Sequence, residues 1–132
     1  MLRGFARLLR ALPERFEMAL TLYGIKNCDT MKKARSWLDA HNVAYRFHDY
    51  KIDGIDRGTL ARWCGQVGWD ALLNRAGTTF RKLDDAQKEG LTEAKAFALM
   101  LAQPSMIKRP VAEDGRTLLV GFRPDLYADK LA

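Results

Sequence analysis

Cysteine is scarce in this 132-residue sequence, which holds only two, Cys28 and Cys64. They stand far apart and neither belongs to a Cys-x-x-Cys pair, which argues against a local dithiol. With only two histidines in the chain, it also argues against a cysteine-based zinc site, so no metal is expected. A long-range Cys28–Cys64 disulfide is left open. Also missing is any run approaching the ~20 apolar residues that cross a bilayer, and no stretch has the make-up of a secretory signal. The cytoplasm is therefore the expected address, with no membrane partner. There is no internal repeat and no low-complexity tract.

What is present suits one ordinary globular domain. Hydrophobic residues make up 48% and charged residues 29% of the chain, enough to build a core at this length. The formal charge of +6 favours anionic partners. The basic residues are scattered, however, and no nucleic-acid motif accompanies them, so small anionic ligands are the expected class.

Residues 1–17 form a basic amphipathic stretch with four arginines and two glutamates. Its apolar residues Leu2, Phe5, Leu8, Leu9, Leu12 and Phe16 stand at near-helical spacing. Because Met18 directly precedes the first strand-like run, this stretch is expected to be a non-essential extension of a domain over 18–132. Leu20, Leu22 and Tyr23 read as a short strand that Gly24 punctuates, and Met31, Ala34, Trp37, Leu38 and His41 recur at helical spacing. Residues 43–50 alternate as a second strand, and strand–helix–strand predicts a parallel pair. From about 58 to 104 the periodicity is helical, an insertion of nearly half the chain. Residues 108–111 read as a returning strand, Asp114-Gly115 as a hairpin turn, 118–121 as its partner strand, and 124–131 as a closing helix.

Three features carry chemistry. Cys28 falls at the first turn of the first helix, where unpaired amides and the positive end of the helix dipole favour a thiolate. Asn27, Asp29 and Thr30 are candidate caps there, and Lys26, Lys32 and Lys33 add positive charge. The second feature is the pair Arg109 and Arg123, each followed by proline, whose donor forks suit carboxylate or other oxyanions. The third is the loop from Ala71 to Leu83, with a Gly77-Thr78-Thr79 turn amid basic groups, Arg75 included. His41 and His48 read as structural, Cys64 as a packed thiol, and Trp37, Trp63 and Trp69 as core.

Four ordered motifs then coincide: Tyr-Gly-Ile-Lys-Asn-Cys-Asp-Thr at 23–30, Leu-Leu-Asn-Arg-Ala-Gly-Thr-Thr at 72–79, Pro-Ser-Met-Ile-Lys-Arg-Pro at 104–110 and Gly-Phe-Arg-Pro at 121–124. Together they resemble the ArsC/Spx family, in its YffB-like branch of arsenate reductase-like proteins, over residues 18–132. The resemblance implies an α/β, thioredoxin-like (glutaredoxin-like) mixed sheet with an inserted helical subdomain, and a cis Arg109–Pro110 bond beside the nucleophile. It implies that Cys28 is the catalytic cysteine and that Arg109 and Arg123 match two of three oxyanion-binding arginines. The third falls on Asn74, next to Arg75, a departure from arsenate reductase proper. Spx regulators carry Cys-x-x-Cys, but here the second position is Met31. The implied activity is a glutathione-dependent monothiol reduction of an oxidised thiol or oxyanion, with glutathione as co-substrate and no tightly bound cofactor. Arg109, Arg123, Lys26 and Arg75 would bind anionic groups, supported by Asn27, Asp29, Thr30 and Pro110. The rival readings are arsenate reductase and a non-catalytic, Spx-like regulator docking on RNA polymerase. A monomer is expected.

Overall fold

The computed structural model describes residues 19–131, so the amphipathic stretch over 1–17 lies outside the described residues. Four strands form one mixed sheet in the order β2-β1-β3-β4. They are β1 (Leu20–Gly24), β2 (Tyr45–Asp49), β3 (Val111–Glu113) and β4 (Leu118–Val120). β1 runs parallel to β2, with Leu22 opposite Phe47, and antiparallel to β3, with Leu22 opposite Ala112; β3 and β4 are antiparallel. The parallel β1–β2 pair is the one that strand–helix–strand spacing predicts.

Side-chain alternation along the strands divides the core in two. Leu20, Leu22 and Ala112 face helix α1 (Asp29–Ala40) and the closing helix α8 (Pro124–Leu131), burying Met31, Ala34, Leu38 and Tyr127. Val111, the neighbour of Ala112, points to the other face. There it meets a larger cluster built from the insertion, with Leu60, Trp63, Leu72, Met100 and Ile107. The insertion is a string of helices: α2 (Tyr50–Asp53), α3 (Arg57–Val67), α4 (Trp69–Leu72), α5 (Thr78–Arg81), α6 (Asp85–Lys88) and α7 (Glu93–Ala102). A 3-10 turn (Pro104–Met106) follows. Asp56, Asp84 and Thr92 cap α3, α6 and α7 with their side chains, which tells why this polar-punctuated segment breaks into short helices. α1 ends in a Schellman-type turn: Asn42 takes φ 56° and the Val43 amide donates to the Leu38 carbonyl at 2.9 Å.

The returning strand begins later than its sequence pattern suggests. Arg109–Pro110 is cis, as the resemblance implies, and Pro110 has no amide to give a ladder. Residues 107 and 108 pair instead with the insertion: Leu73 bridges Ile107, and the Lys108 amide donates to the Leu72 carbonyl at 2.7 Å. The hairpin turn is organised by Asp114, whose Oδ1 accepts from the amides of Arg116 and Thr117, each at 2.7 Å. Of the three tryptophans only Trp63 is fully buried; Trp37 and Trp69 are half-buried. Trp37 is stacked on His41, and Trp69 lies under the Arg75 guanidinium, so both close the rim of a core cluster. The histidines are structural: the His48 Nε2–H donates to the Gly54 carbonyl at 2.7 Å and the His41 Nδ1–H to the Trp37 carbonyl at 2.8 Å.

Candidate active site

Cys28 is the N-cap residue of α1, with extended backbone at φ −139° and ψ 130°. β1 delivers the chain through the short loop 25–27, so the sulfur stands half-exposed at the helix end, beyond the C-terminal end of this interior strand. No side chain caps this helix. Asn27, Asp29 and Thr30 are therefore not caps: Cys28 itself holds the capping position, Asn27 precedes it, Asp29 and Thr30 lie within the first turn, and all three are exposed. The first-turn amides are left for the sulfur.

Partial burial by itself would raise the Cys28 pKa. Against it work the amide of Met31, a hydrogen bond from Arg109, the amide of Thr30 and the positive charge of Arg109, and the net shift is downward. Arg109 is held for this task. Its Nη1 donates to the Ser105 carbonyl at 3.0 Å, while its buried Nε has no partner among the described residues, like the buried Tyr50 hydroxyl. The Ser105 hydroxyl in turn shares a hydrogen bond of 2.9 Å with Thr79 Oγ1. Ser105 and Thr79 fall inside two of the recognised motifs, yet nothing in their residue type marks them as supports; the signal is the contact alone.

The other basic residues singled out from sequence are placed differently. Arg123 is two-thirds exposed and donates to Asp125 at 3.0 Å. Its chain segment does reach the site's rim, because the Gly121 amide donates to the Pro110 carbonyl at 2.8 Å. Arg75 pairs with Asp70 and covers Trp69, which turns it toward the insertion's own surface. Lys26 is exposed in the loop before Cys28. Asn74, at the third arginine position, lies over Gly77, so close that a Cβ there would stand 2.8 Å from its Nδ2. Pro110 is buried at the base of β3.

Cys28 and Cys64 are both free. Cys64 belongs to the insertion cluster and Cys28 packs against the opposite one, so the two thiols lie across the sheet. Burial, then the charge of Glu93, pushes the Cys64 thiol up. Met31 fills the place of a second Cys-x-x-Cys cysteine. It is fully buried, and a Cβ on Gly24 would lie 2.3 Å from its sulfur, so any side chain at position 24 would require the Met31 thioether to move. Among the described residues no cluster of His, Cys, Asp and Glu could hold a metal, and no helix is long and apolar enough to cross a membrane. With a lowered pKa at Cys28 and a raised one at Cys64, timed iodoacetamide labelling at pH 7 should modify Cys28 well before Cys64, as read by peptide mass spectrometry. Equal labelling would contradict the assigned environments.

A thiol at a helix N-cap, an arginine beside it and a cis-proline before β3 are the arrangement of a thioredoxin-like protein. The particular lineage follows from comparison. The sequence model of the ArsC family matches residues 23–129, and the chain belongs to that family. It is 44% identical over 109 residues to an uncharacterised protein of Haemophilus influenzae, covering 82% of this chain and 95% of that one. It is 27% identical over 108 residues to the global transcriptional regulator Spx of Streptococcus mutans, covering 80% and 78%. Among solved structures, the YFFB protein superposes with a TM-score of 0.83 at 70% identity, over 86% of this chain and all of the other. An arsenate reductase (ArsC) related protein from Brucella melitensis gives 0.69 at 57% identity, over 86% and 94%.

Proposed function

We propose that this ArsC-family protein is a monothiol reductase that uses glutathione as co-substrate, working on an oxidised small thiol in the cytoplasm. The observation that carries the reading is the Cys28 thiol itself, set between first-turn amides and Arg109 with its pKa lowered and with Met31 where a resolving cysteine would stand. In the first step the Cys28 thiolate attacks a sulfur of a mixed disulfide between glutathione and the substrate thiol. An S–S bond to glutathione forms on Cys28, and the substrate leaves as its thiolate. A second glutathione thiolate then attacks that bond, giving glutathione disulfide and freeing the Cys28 thiolate. The two electrons come from glutathione, so no tightly bound cofactor is required. Arg109 stabilises the thiolate both as nucleophile and as leaving group, and Arg123, from the rim, adds charge for the anionic substrate.

Arsenate is the weaker substrate reading, because the third position carries a carboxamide folded over Gly77 rather than a guanidinium. The test is intact mass after treatment with oxidised glutathione, together with glutathione-coupled turnover. One glutathionyl adduct on Cys28 and steady turnover support the enzyme. An adduct-free protein with no turnover would favour a regulator of the Spx kind, with RNA polymerase as the partner to try.

Arg109→Lys keeps the charge and loses the planar fork that spans Ser105 and Cys28. A charge-assisted hydrogen bond is worth about 1.5–3 kcal/mol, so turnover should fall about 10- to 100-fold. The midpoint of the Cys28 alkylation–pH profile should rise. An unchanged profile would remove Arg109 from thiolate stabilisation.

A further inference from the structure

Two buried polar groups are left over by the hydrogen bonds described so far. They are the Tyr50 hydroxyl and the Arg109 Nε–H, neither of which has a partner among the described residues. Leaving a buried polar group unpaired costs more than a made hydrogen bond gains, so such atoms call for a reason. The Tyr127 hydroxyl is likewise unpaired, but it belongs to the cluster on the opposite face of the sheet, and burial alone acts on it.

The fold brings Tyr50 and Arg109 to the same place. Asp49 ends β2 opposite Gly24 of β1, so α2 starts at the end of the sheet from which β1 runs on to Cys28. α2 packs against the 3-10 turn Pro104–Met106, whose Ser105 carbonyl takes Arg109 Nη1 at 3.0 Å. Tyr50 is fixed there. Its ring stacks on Tyr23 at 6.3 Å and meets His48 edge-on at 6.0 Å. Its carbonyl accepts from the Gly54 amide at 2.9 Å, and the Asp49 carboxylate accepts from the Lys51 amide at 2.9 Å. Burial pushes the phenol pKa up and keeps it neutral; the groups that act on it are Tyr23, Arg109 and Glu113, of which Arg109 is the cation. Glu113 is already engaged by Trp63, Arg62 and Tyr23, which leaves the Tyr50 oxygen as the unclaimed acceptor for Arg109.

We propose that Tyr50 is a positioning residue for Arg109, joined to it by one buried water that accepts from the Arg109 Nε–H and is hydrogen-bonded in turn to the Tyr50 hydroxyl. Waters in protein interiors serve polar groups that lack any other partner. Arg109 is then held at two corners of its plane, Nη1 on Ser105 and Nε toward Tyr50. Because the guanidinium is rigid, fixing two corners also fixes the direction of the N–H that meets the Cys28 sulfur. The thiolate therefore forms against a donor already in place. The inference rests on the reading of Arg109 as the partner of that thiolate and deepens it.

The test is Tyr50→Phe in the full-length chain, with Tyr127→Phe as the control for losing a buried hydroxyl away from any arginine. In nitrogen–proton NMR spectra the Arg109 Nε–H signal is assigned by its loss in Arg109→Lys. It should shift and exchange faster with solvent in Tyr50→Phe, and stay in place in Tyr127→Phe. The midpoint of the Cys28 alkylation–pH profile should rise by roughly half a pH unit, so that alkylation below the midpoint slows about threefold. The melting temperature should fall slightly, because a bridged hydroxyl is lost; deleting a hydroxyl with no partner would raise it instead. An Arg109 signal indifferent to Tyr50→Phe, or a raised melting temperature, would overturn the bridge. A shifted signal with an unchanged alkylation profile would overturn the positioning role. If both move in a protein that shows no glutathione-coupled turnover, the role of Tyr50 stands and the reductase is refuted.

Discussion

Cys28→Ser is expected to lose glutathione-coupled disulfide reduction down to background while its melting temperature stays close to that of the parent. The two groups have nearly the same size, and Cys28 is half-exposed at a helix end, so little packing is lost. Serine is a good N-cap residue, which favours the helix if anything. The hydroxyl, however, forms no useful fraction of anion near neutrality, and the amides and guanidinium around it have nothing to stabilise. Cys64→Ser is the control: its thiol is buried across the sheet with a raised pKa, so most activity should remain. Equal loss in both variants would replace the single-thiol mechanism with a relay between the two.

Trp63→Ala is expected to cost about 3–5 kcal/mol, a large share of the roughly 5–15 kcal/mol by which such domains are stable. Trp63 is fully buried. Its ring meets Tyr23 of β1 edge-on at 4.7 Å, and its Nε1–H donates to Glu113 Oε2 at 3.0 Å. The same carboxylate accepts from Arg62 Nη2 at 2.8 Å and from the Tyr23 hydroxyl at 3.5 Å. The insertion is therefore fastened at both ends of β3, through Arg109 before it and Glu113 at its close. Trp63→Phe keeps most of the volume and forfeits the hydrogen bond, so it should cost only about 1–2 kcal/mol. Urea unfolding of the pair checks both values; a Trp63→Ala loss below that of Trp63→Phe would show that the cluster does not depend on the indole.

Local signals in the sequence were strong where one physical rule dominates. The strand, glycine, cysteine and helix of residues 20–40 announce themselves because alternation gives way to helical spacing at a capping position. The four-motif resemblance then supplied the sheet's mixed character and the cis bond. Residue type could not show that Lys108 pairs with the Leu72 carbonyl rather than within β3, because that pairing depends on where the insertion folds back. The same limit applies to the basic residues. Arg109, Arg123 and Arg75 carry identical forks, yet the Ser105 carbonyl holds one while Asp125 and Asp70 pair with the other two; these partners are near in sequence, but which neighbour each fork meets depends on the local path of the backbone. Asn27, Asp29 and Thr30 have capping chemistry, but Cys28 takes the capping position itself.

The burial of Met31 under Gly24 has a kinetic consequence. With no neighbouring thiol on its side of the sheet, an oxidised adduct on Cys28 cannot be cleared from within the molecule. Under the proposed mechanism its lifetime is second order, set by how much reduced thiol the surroundings offer, rather than by an internal redox potential as in a dithiol protein. The fraction of molecules carrying the adduct would then follow the balance of oxidised to reduced thiol around the protein.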